Sequence, residues 1–401
     1  MSEEHGAIEG HDKVDALVVG AGPAGLMAAD TLAATGRRVV VADAMPSIGR
    51  KFLMAGKSGL NLTKSEPLDR FVAAFDPIPP QMEAALRAFG PDEVTAWAEA
   101  LGTEVFVGST GRVFPKAMKA SPLLRAWSAQ LGAHGVELRT RWRWTGWDEA
   151  ACVFETSACP VRVSSETTVF ALGGASWSRL GSTGAWAEPF RNAGVPVAPF
   201  RPANVGFRVA WSDHMKPHFG APVKQSRLIA GEMAGRGEWV VSERGIEGGG
   251  IYEISQPLRD GASLHVDLLP DLSLETIARR LAKSRNKSSL ANHLRKTLGL
   301  SPVSRALLME WGRPLPTEPE ALAQRIKSLP ARIDGPLPMD GAISTAGGVA
   351  WSALSGFELR ARPGTWVAGE MLDWEAPTGG YLITGCLATG RAAALQAIAR
   401  G

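Results

Sequence analysis

The chain is predicted to adopt an α/β fold, a βαβ-built domain interrupted by a β-rich insert and a small helical insert. Three observations lead there. A strand, glycine turn, helix and second strand follow one another within residues 14–43. A second buried strand pattern at 167–172 ends in Gly173-Gly174. Gly-rich α/β texture then returns at 338–401, after a long section of short strands and amphipathic helices.

The first unit reads VDALVVGAGPAGLMAADTLAATGRRVVVAD. An apolar run, residues 14–19, enters Gly20-Ala21-Gly22-Pro23-Ala24-Gly25; a helical pattern runs to Thr35, Gly36 stops it, and a second apolar run ends on Asp43 and Ala44. In such a unit Gly20 makes the tight turn, Gly22 removes a side chain where a diphosphate approaches, and Gly25 lets helix and strand pack closely. Phosphates then meet free N–H groups at the helix start, where the dipole also favours negative charge. Asp43 stands about 20 residues past the glycines, the spacing of a ribose-binding acid. A carboxylate there suits an unphosphorylated ribose, hence the adenosine of FAD or NAD rather than NADP.

The remaining elements follow in order. Residues 1–13 read as a flexible tail, and 46–66 as a Gly/Lys/Ser-rich loop. Helical patterns cover 80–101 and 118–134, and alternation over 137–162 suggests a small antiparallel ribbon. The composition changes near 196. A β-rich insert over 196–270 and a helical insert over 271–335 separate the first part of the nucleotide domain, 14–195, from its second part, 336–401. The insert helices are placed at 274–283, 288–298, 302–311 and 319–329, with Pro302 and Pro319 where a first helical residue would sit. The last helix is expected from about Thr389 to Arg400.

Composition excludes several classes. With 43 Lys and Arg against 40 Asp and Glu, net charge is only +3, so overall charge implies no anionic partner. No apolar run approaches the ~20 residues that span a bilayer, and the N-terminus resembles no leader peptide, so a cytoplasmic protein without membrane association is expected. Cys152, Cys159 and Cys386 form no metal spacing and read as free thiols. His214 and His218 lie four apart, but Pro217 breaks the helix between them and no third ligand follows, so no metal site is expected. No nucleophile elbow is present.

Four later segments resemble a known family: GRKFLMAGKSGLNLT (49–63), GRVFPKAMKASPLLRAW (111–127), VFALGGASWSRLGSTG (169–184) and VAGEMLDWEAPTGGYLITGCLATGRAAA (367–394). They are similar to the BaiN/RdsA-like, aminoacetone-oxidase-like NAD(P)/FAD-dependent oxidoreductases. The resemblance implies a glutathione-reductase-like Rossmann FAD domain with a β-barrel-like insert and a helical insert. It implies that Gly20, Gly22, Pro23, Ala24 and Gly25 hold the FAD diphosphate and Asp43 and Ala44 the adenosine side. Arg50 and Lys51 would lie beside the adenosine and phosphates, with Gly173 against the cofactor. Gly369, Glu370 and Asp373 would approach the diphosphate and ribitol; Thr378, Gly379, Gly380, Tyr381 and Leu382 would bring a turn to the isoalloxazine. Many relatives read GGGRCN where this chain has Gly56-Lys57-Ser58-Gly59-Leu60-Asn61, and GGYN where it has Gly380-Tyr381-Leu382.

Flavin carries the difficult chemistry of such an enzyme, hydride transfer. No second GxGxxG follows in mid-chain, so NAD(P)H as reductant would dock directly over the flavin, or electrons arrive from another donor. The substrate is a small molecule of unidentified structure, and no residue is singled out as catalytic. One feature concerns a partner. From Thr276 to Met309 there is no Asp or Glu, while Arg279, Arg280, Lys283, Arg285, Lys287, Arg295, Lys296 and Arg305 are present. That pattern fits phosphate tracking on RNA, and equally a solvated face on a bundle. The leading expectation is an NAD(P)H-driven reductase of an activated C=C bond. An amine or aminoketone oxidase, a reductase of uridine in ribosomal RNA, and a non-catalytic flavin sensor are the alternatives.

Overall fold

A computed structural model describes residues 10–400 except Ser58, Asp76 and Asn286. The chain forms two compact units, residues 1–201 with 344–401, and residues 202–343.

The first unit is built on a mixed sheet. Its centre is β1 (Gly10–Val19), followed by α1 (Pro23–Ala33) and β2 (Val39–Asp43). β1 pairs in parallel with β2, Ala16 opposite Val39 through Val19 opposite Ala42, and on its other side with strand Val161–Phe170. Strand Thr365–Val367 extends the sheet beyond Val161–Phe170, and Glu137–Thr140 extends it beyond β2, both in parallel. Parallel strands covered on both faces read as continuous apolar runs, which is why residues 14–19 and 39–42 lack alternation. Leu17, Val18, Val39 and Val40 are fully buried. The crossover helix α1 packs on this sheet, and close packing continues to the last helix: a Cβ on Gly390 would stand 2.2 Å from the carbonyl oxygen of Ala24.

Several elements differ from expectation. Residues 10–13, assigned to the tail, are strand, pairing from Gly10 opposite Val161 to Lys13 opposite Ser164; residues 1–9 lie outside the described residues. Their polar sequence hid a pairing made by a partner 150 residues away. The loop over 46–66 contains α2 (Arg50–Ala55), entered through Gly49, whose helix formers bury Phe52. The pattern over 80–101 is two helices, Pro80–Ala88 and Pro91–Ala100; the second starts at proline, and the Gly90 N–H donates to Glu93. Glu137–Thr140 pairs in parallel at the edge of the main sheet, while Arg143–Asp148, Ala151–Glu155 and the start of Val161–Phe170 form the expected antiparallel ribbon. Helix Tyr381–Arg400 begins eight residues before Thr389. Its length and composition suffice to cross a membrane, contrary to the sequence expectation, but half of its apolar window is buried inside the protein, as a core helix requires.

The second unit has its own core, including Phe207, Trp239, Ile246, Leu294, Leu307 and Trp311. Its β-rich part is two four-stranded antiparallel sheets. Strand Leu329–Ala331, beyond the last helix of the unit, pairs with Leu264–Asp267, so the β-rich and helical sections share one core rather than forming separate inserts. Ser273, Ser289 and Ser301 cap three of its helices, each hydroxyl accepting from the N–H three residues on.

Candidate functional site

β1 runs directly into Gly20, the strand Val161–Phe170 is followed three residues on by Gly173, and a groove opens at those ends. Gly20 has φ +106°, and a Cβ there would stand 2.4 Å from the carbonyl oxygen of Ala171. Gly25 is equally constrained, since its Cβ would fall 1.9 Å from the carbonyl oxygen of Gly20. Gly22 differs: a Cβ there meets nothing within 4 Å, so its missing side chain leaves open space in the groove wall. The α1 ladder begins with the Leu26 N–H donating to the Gly22 carbonyl at 2.9 Å. Pro23 has no N–H, so Ala24 and Gly25 present the free donors of the first turn.

Asp43 and Ala44 line the groove. One Asp43 oxygen accepts from the Ala21 N–H and the other from the Met45 N–H, both at 2.8 Å. The carboxylate therefore braces the glycine turn itself. Burial raises its pKa, opposed by those two hydrogen bonds and by Arg50.

Arg50, Lys51, Gly173 and Glu370 complete a polar wall. Lys51 Nζ lies 2.7 Å from Glu370 Oε2 and donates to Ser176 Oγ at 2.8 Å. Glu370 also accepts from the Thr345 N–H at 3.0 Å and the Gly174 N–H at 3.3 Å. This carboxylate thus ties four chain segments together and holds Lys51 in the groove wall. Ser182 and Cys386, which lie inside two of the quoted segments but were given no role there, also line the groove. Burial, then the Glu370 carboxylate, push the Cys386 thiol up to about 12, so it stays protonated near neutrality.

Other expected residues lie elsewhere. Gly369 lets its turn approach α1, since a Cβ there would stand 2.6 Å from that of Ala24. Asp373 is not in the groove wall; its carboxylate accepts from the Gly347 backbone and faces Arg201, and burial raises its pKa. Thr378 opens the turn into the last helix. Gly380, at φ +107°, lies so close to Thr63 that a Cβ would meet its backbone at 2.5 Å. Tyr381 opens the last helix. Its ring stacks on Phe71 at 4.6 Å and meets Phe75 edge-on, while its hydroxyl donates to Glu66 at 2.5 Å and accepts from Lys64 at 2.8 Å. The aromatic face is consumed by core packing, so it is not available to stack on a cofactor. Leu382 packs against the same core.

The groove passes a chemical test for a dinucleotide. Two buried polar atoms in its lining residues, Ser182 Oγ and Arg50 Nε, have no protein partner. Orphaned donors beside a helix start and an open Gly22 are what a diphosphate satisfies.

Comparison with known proteins agrees. The family model for the HI0933-like protein Rossmann domain matches residues 14–396. The chain belongs to the HI0933-like family. Relatives include the 3-dehydro-bile acid delta(4,6)-reductase of Clostridium scindens, 26% identical, covering 96% of this chain and 98% of that protein. The ribosomal RNA dihydrouridine synthase of Escherichia coli is 25% identical, covering 92% and 94%. Among solved structures, a 3-ketosteroid delta1-dehydrogenase from Sterolibacterium denitrificans superposes with TM-score 0.53 at 12% identity, covering 97% of this chain and all of that one. A flavocytochrome c3 fumarate reductase gives 0.50 at 15% identity, covering 96% and 78%. The protein is an FAD-dependent oxidoreductase with a Rossmann-type FAD-binding domain.

Proposed function

We propose that this oxidoreductase saturates an activated carbon–carbon double bond, with NADH or NADPH as two-electron donor. The observation that carries this reading is the pair of relatives that match almost end to end. One is named a delta(4,6)-reductase and the other a dihydrouridine synthase, and both names describe products in which a double bond has been saturated. Bound FAD supplies the hydride. The protein's part is to hold the diphosphate at α1, keep water from the groove, and stabilise charge that gathers on an oxygen conjugated to the double bond. A proton from solvent on the second carbon completes the reduction. With one glycine-rich nucleotide turn in the chain, nicotinamide and substrate use the same flavin in turn.

Anaerobic mixing of the FAD-loaded protein with NADH or NADPH tests this. Bleaching of the visible flavin band by one of them, then recovery on adding cyclohex-2-enone faster than in air, is the expected result. Fast recovery in air with stoichiometric peroxide and none with the enone would instead make the protein an oxidase.

A second reading, a nucleic-acid substrate, is favoured by the helical section of residues 202–343. Arg279, Lys283, Arg285, Lys287, Arg295 and Lys296 are exposed, and among the described residues none of them is seen in an ion pair. Ribosomal RNA fragments should then bind with an affinity that falls steeply with salt, by a log–log slope of roughly 0.7–0.9 per phosphate contacted. A flat salt dependence would remove this reading.

A further inference from the structure

The small sheet of Thr63–Lys64, Val105–Val107 and Arg112–Pro115 adjoins the Gly379–Gly380 turn, and one of its cations is uncompensated. Arg112 Nε lies 3.3 Å, and Nη2 3.8 Å, from where a Cβ on Gly379 would stand. Arg112 is half-buried, yet among the described residues no carboxylate pairs with it. The nearby Glu66 is already shared by Lys64 at 3.0 Å, Arg70 at 3.4 Å and the Tyr381 hydroxyl. Partly buried guanidinium groups are ordinarily matched by an anion.

The surroundings of Arg112 say what else such an anion would carry. Alternation along the strand puts Phe114 on the same face as Arg112, with Val113 and Pro115 buried on the other. Phe114 stacks on Phe106 at 5.6 Å, and Phe114 and Met118 both lie against Gly59. Phe106, opposite Phe114 in the sheet, and Met118 remain 41% and 38% exposed, which is unusual for residues of this size beside one small sheet. Asn61, two residues before Thr63, has a buried side-chain oxygen without a partner.

We propose that Arg112 recognises the oxyanion of an apolar substrate whose hydrocarbon body lies along Phe114 and Phe106. The charge complementarity is one-sided: a fixed cation at the Gly379 end and apolar surface along the rest. This rests on the proposed flavin chemistry, and in one respect on the expectation carried by the family resemblance, that the Gly379–Gly380 turn faces the flavin ring.

The test uses FAD-loaded protein and 4-phenylbutyrate, with uncharged 4-phenylbutanamide as control. Binding is read both as a shift of the visible flavin band and as a rise in melting temperature. In wild type the acid should bind saturably and tighter than the amide. Arg112→Ala should weaken the acid by about tenfold or more and Arg112→Lys by less, with the amide and FAD content unchanged. Equal affinity of wild type and Arg112→Ala, equal affinity for acid and amide, or no saturable binding to wild type each overturns the inference. An Arg112-dependent melting shift without a flavin shift keeps the inference and removes the placement of the turn at the ring. A flavin shift indifferent to Arg112 does the reverse. Sedimentation at two concentrations accompanies the titration: a dimer that masks Arg112 and dissociates in Phe106→Ser would give this face to a second copy and overturn the inference.

Discussion

Gly22 and Gly25 stand three residues apart in one motif, yet the structure assigns their substitutions opposite outcomes. A Cβ on Gly22 meets no atom within 4 Å, and its φ of −83° with ψ −178° is extended backbone open to any residue. Gly22→Val should therefore leave the cofactor-free protein within about 0.5 kcal/mol of wild type. The valine fills the space before the α1 N–H groups, so FAD affinity should fall by at least about a hundredfold, or roughly 2.7 kcal/mol. Bound ligand stabilises by RT ln(1 + [L]/Kd), about 4 kcal/mol at a thousandfold excess. Most of that is lost, and the FAD-dependent rise in melting temperature should shrink by several degrees. Gly25→Ala places its methyl 1.9 Å from the Gly20 carbonyl oxygen, so the α1–β1 turn must move even without cofactor. Its cost should be about 1–3 kcal/mol in the apo protein. The assay is thermal unfolding of both variants with and without FAD, alongside FAD content by absorbance. Full flavin and an unchanged melting temperature in Gly22→Val would refute the placement of the diphosphate. An unperturbed apo Gly25→Ala would refute the packing argument.

Three further outcomes are expected. Lys51→Met strips the cation from the largely buried Glu370 and should cost about 1–3 kcal/mol, discounted because Lys51 is 28% exposed. Lys51→Met with Glu370→Gln should recover part of it, and strict additivity in the double-mutant cycle would show no coupling. Tyr381→Phe should lose about 1 kcal/mol with its bonds to Glu66 and Lys64, while FAD content and flavin spectrum persist; a lost flavin spectrum would return this residue to the cofactor. Asp43 has a raised folded pKa, so its stabilising contribution is full below its unfolded value and lost as pH rises through the folded one. Apo stability of wild type relative to Asp43→Asn should thus decline from acid toward neutral pH in urea unfolding, and a rise would mean the two backbone hydrogen bonds outweigh burial.

Residues 14–43 were legible in the sequence because everything in them is local. Strand, turn and helix there depend on neighbours a few residues away, and the glycines at 20, 22 and 25 announce a backbone that side chains would obstruct. The proline starts at 302 and 319 are local for the same reason. So was the presence of a nucleotide groove. What lines it was only half legible. Ser182 and Cys386 carry no spacing signal, and they reach the groove because a loop and a helix far apart in sequence converge there. Lys51 and Glu370 meet across 319 positions, an ion pair in the groove wall that no spacing announced. Tyr381 sits in the expected turn, but the direction of its ring was decided by Phe71, Phe75 and Glu66, contacts that only the folded chain brings together. Periodicity and turn chemistry are properties of a segment; the heading of a side chain and the pairing of a charge belong to the packed protein, where burial leaves one arrangement that satisfies every polar group.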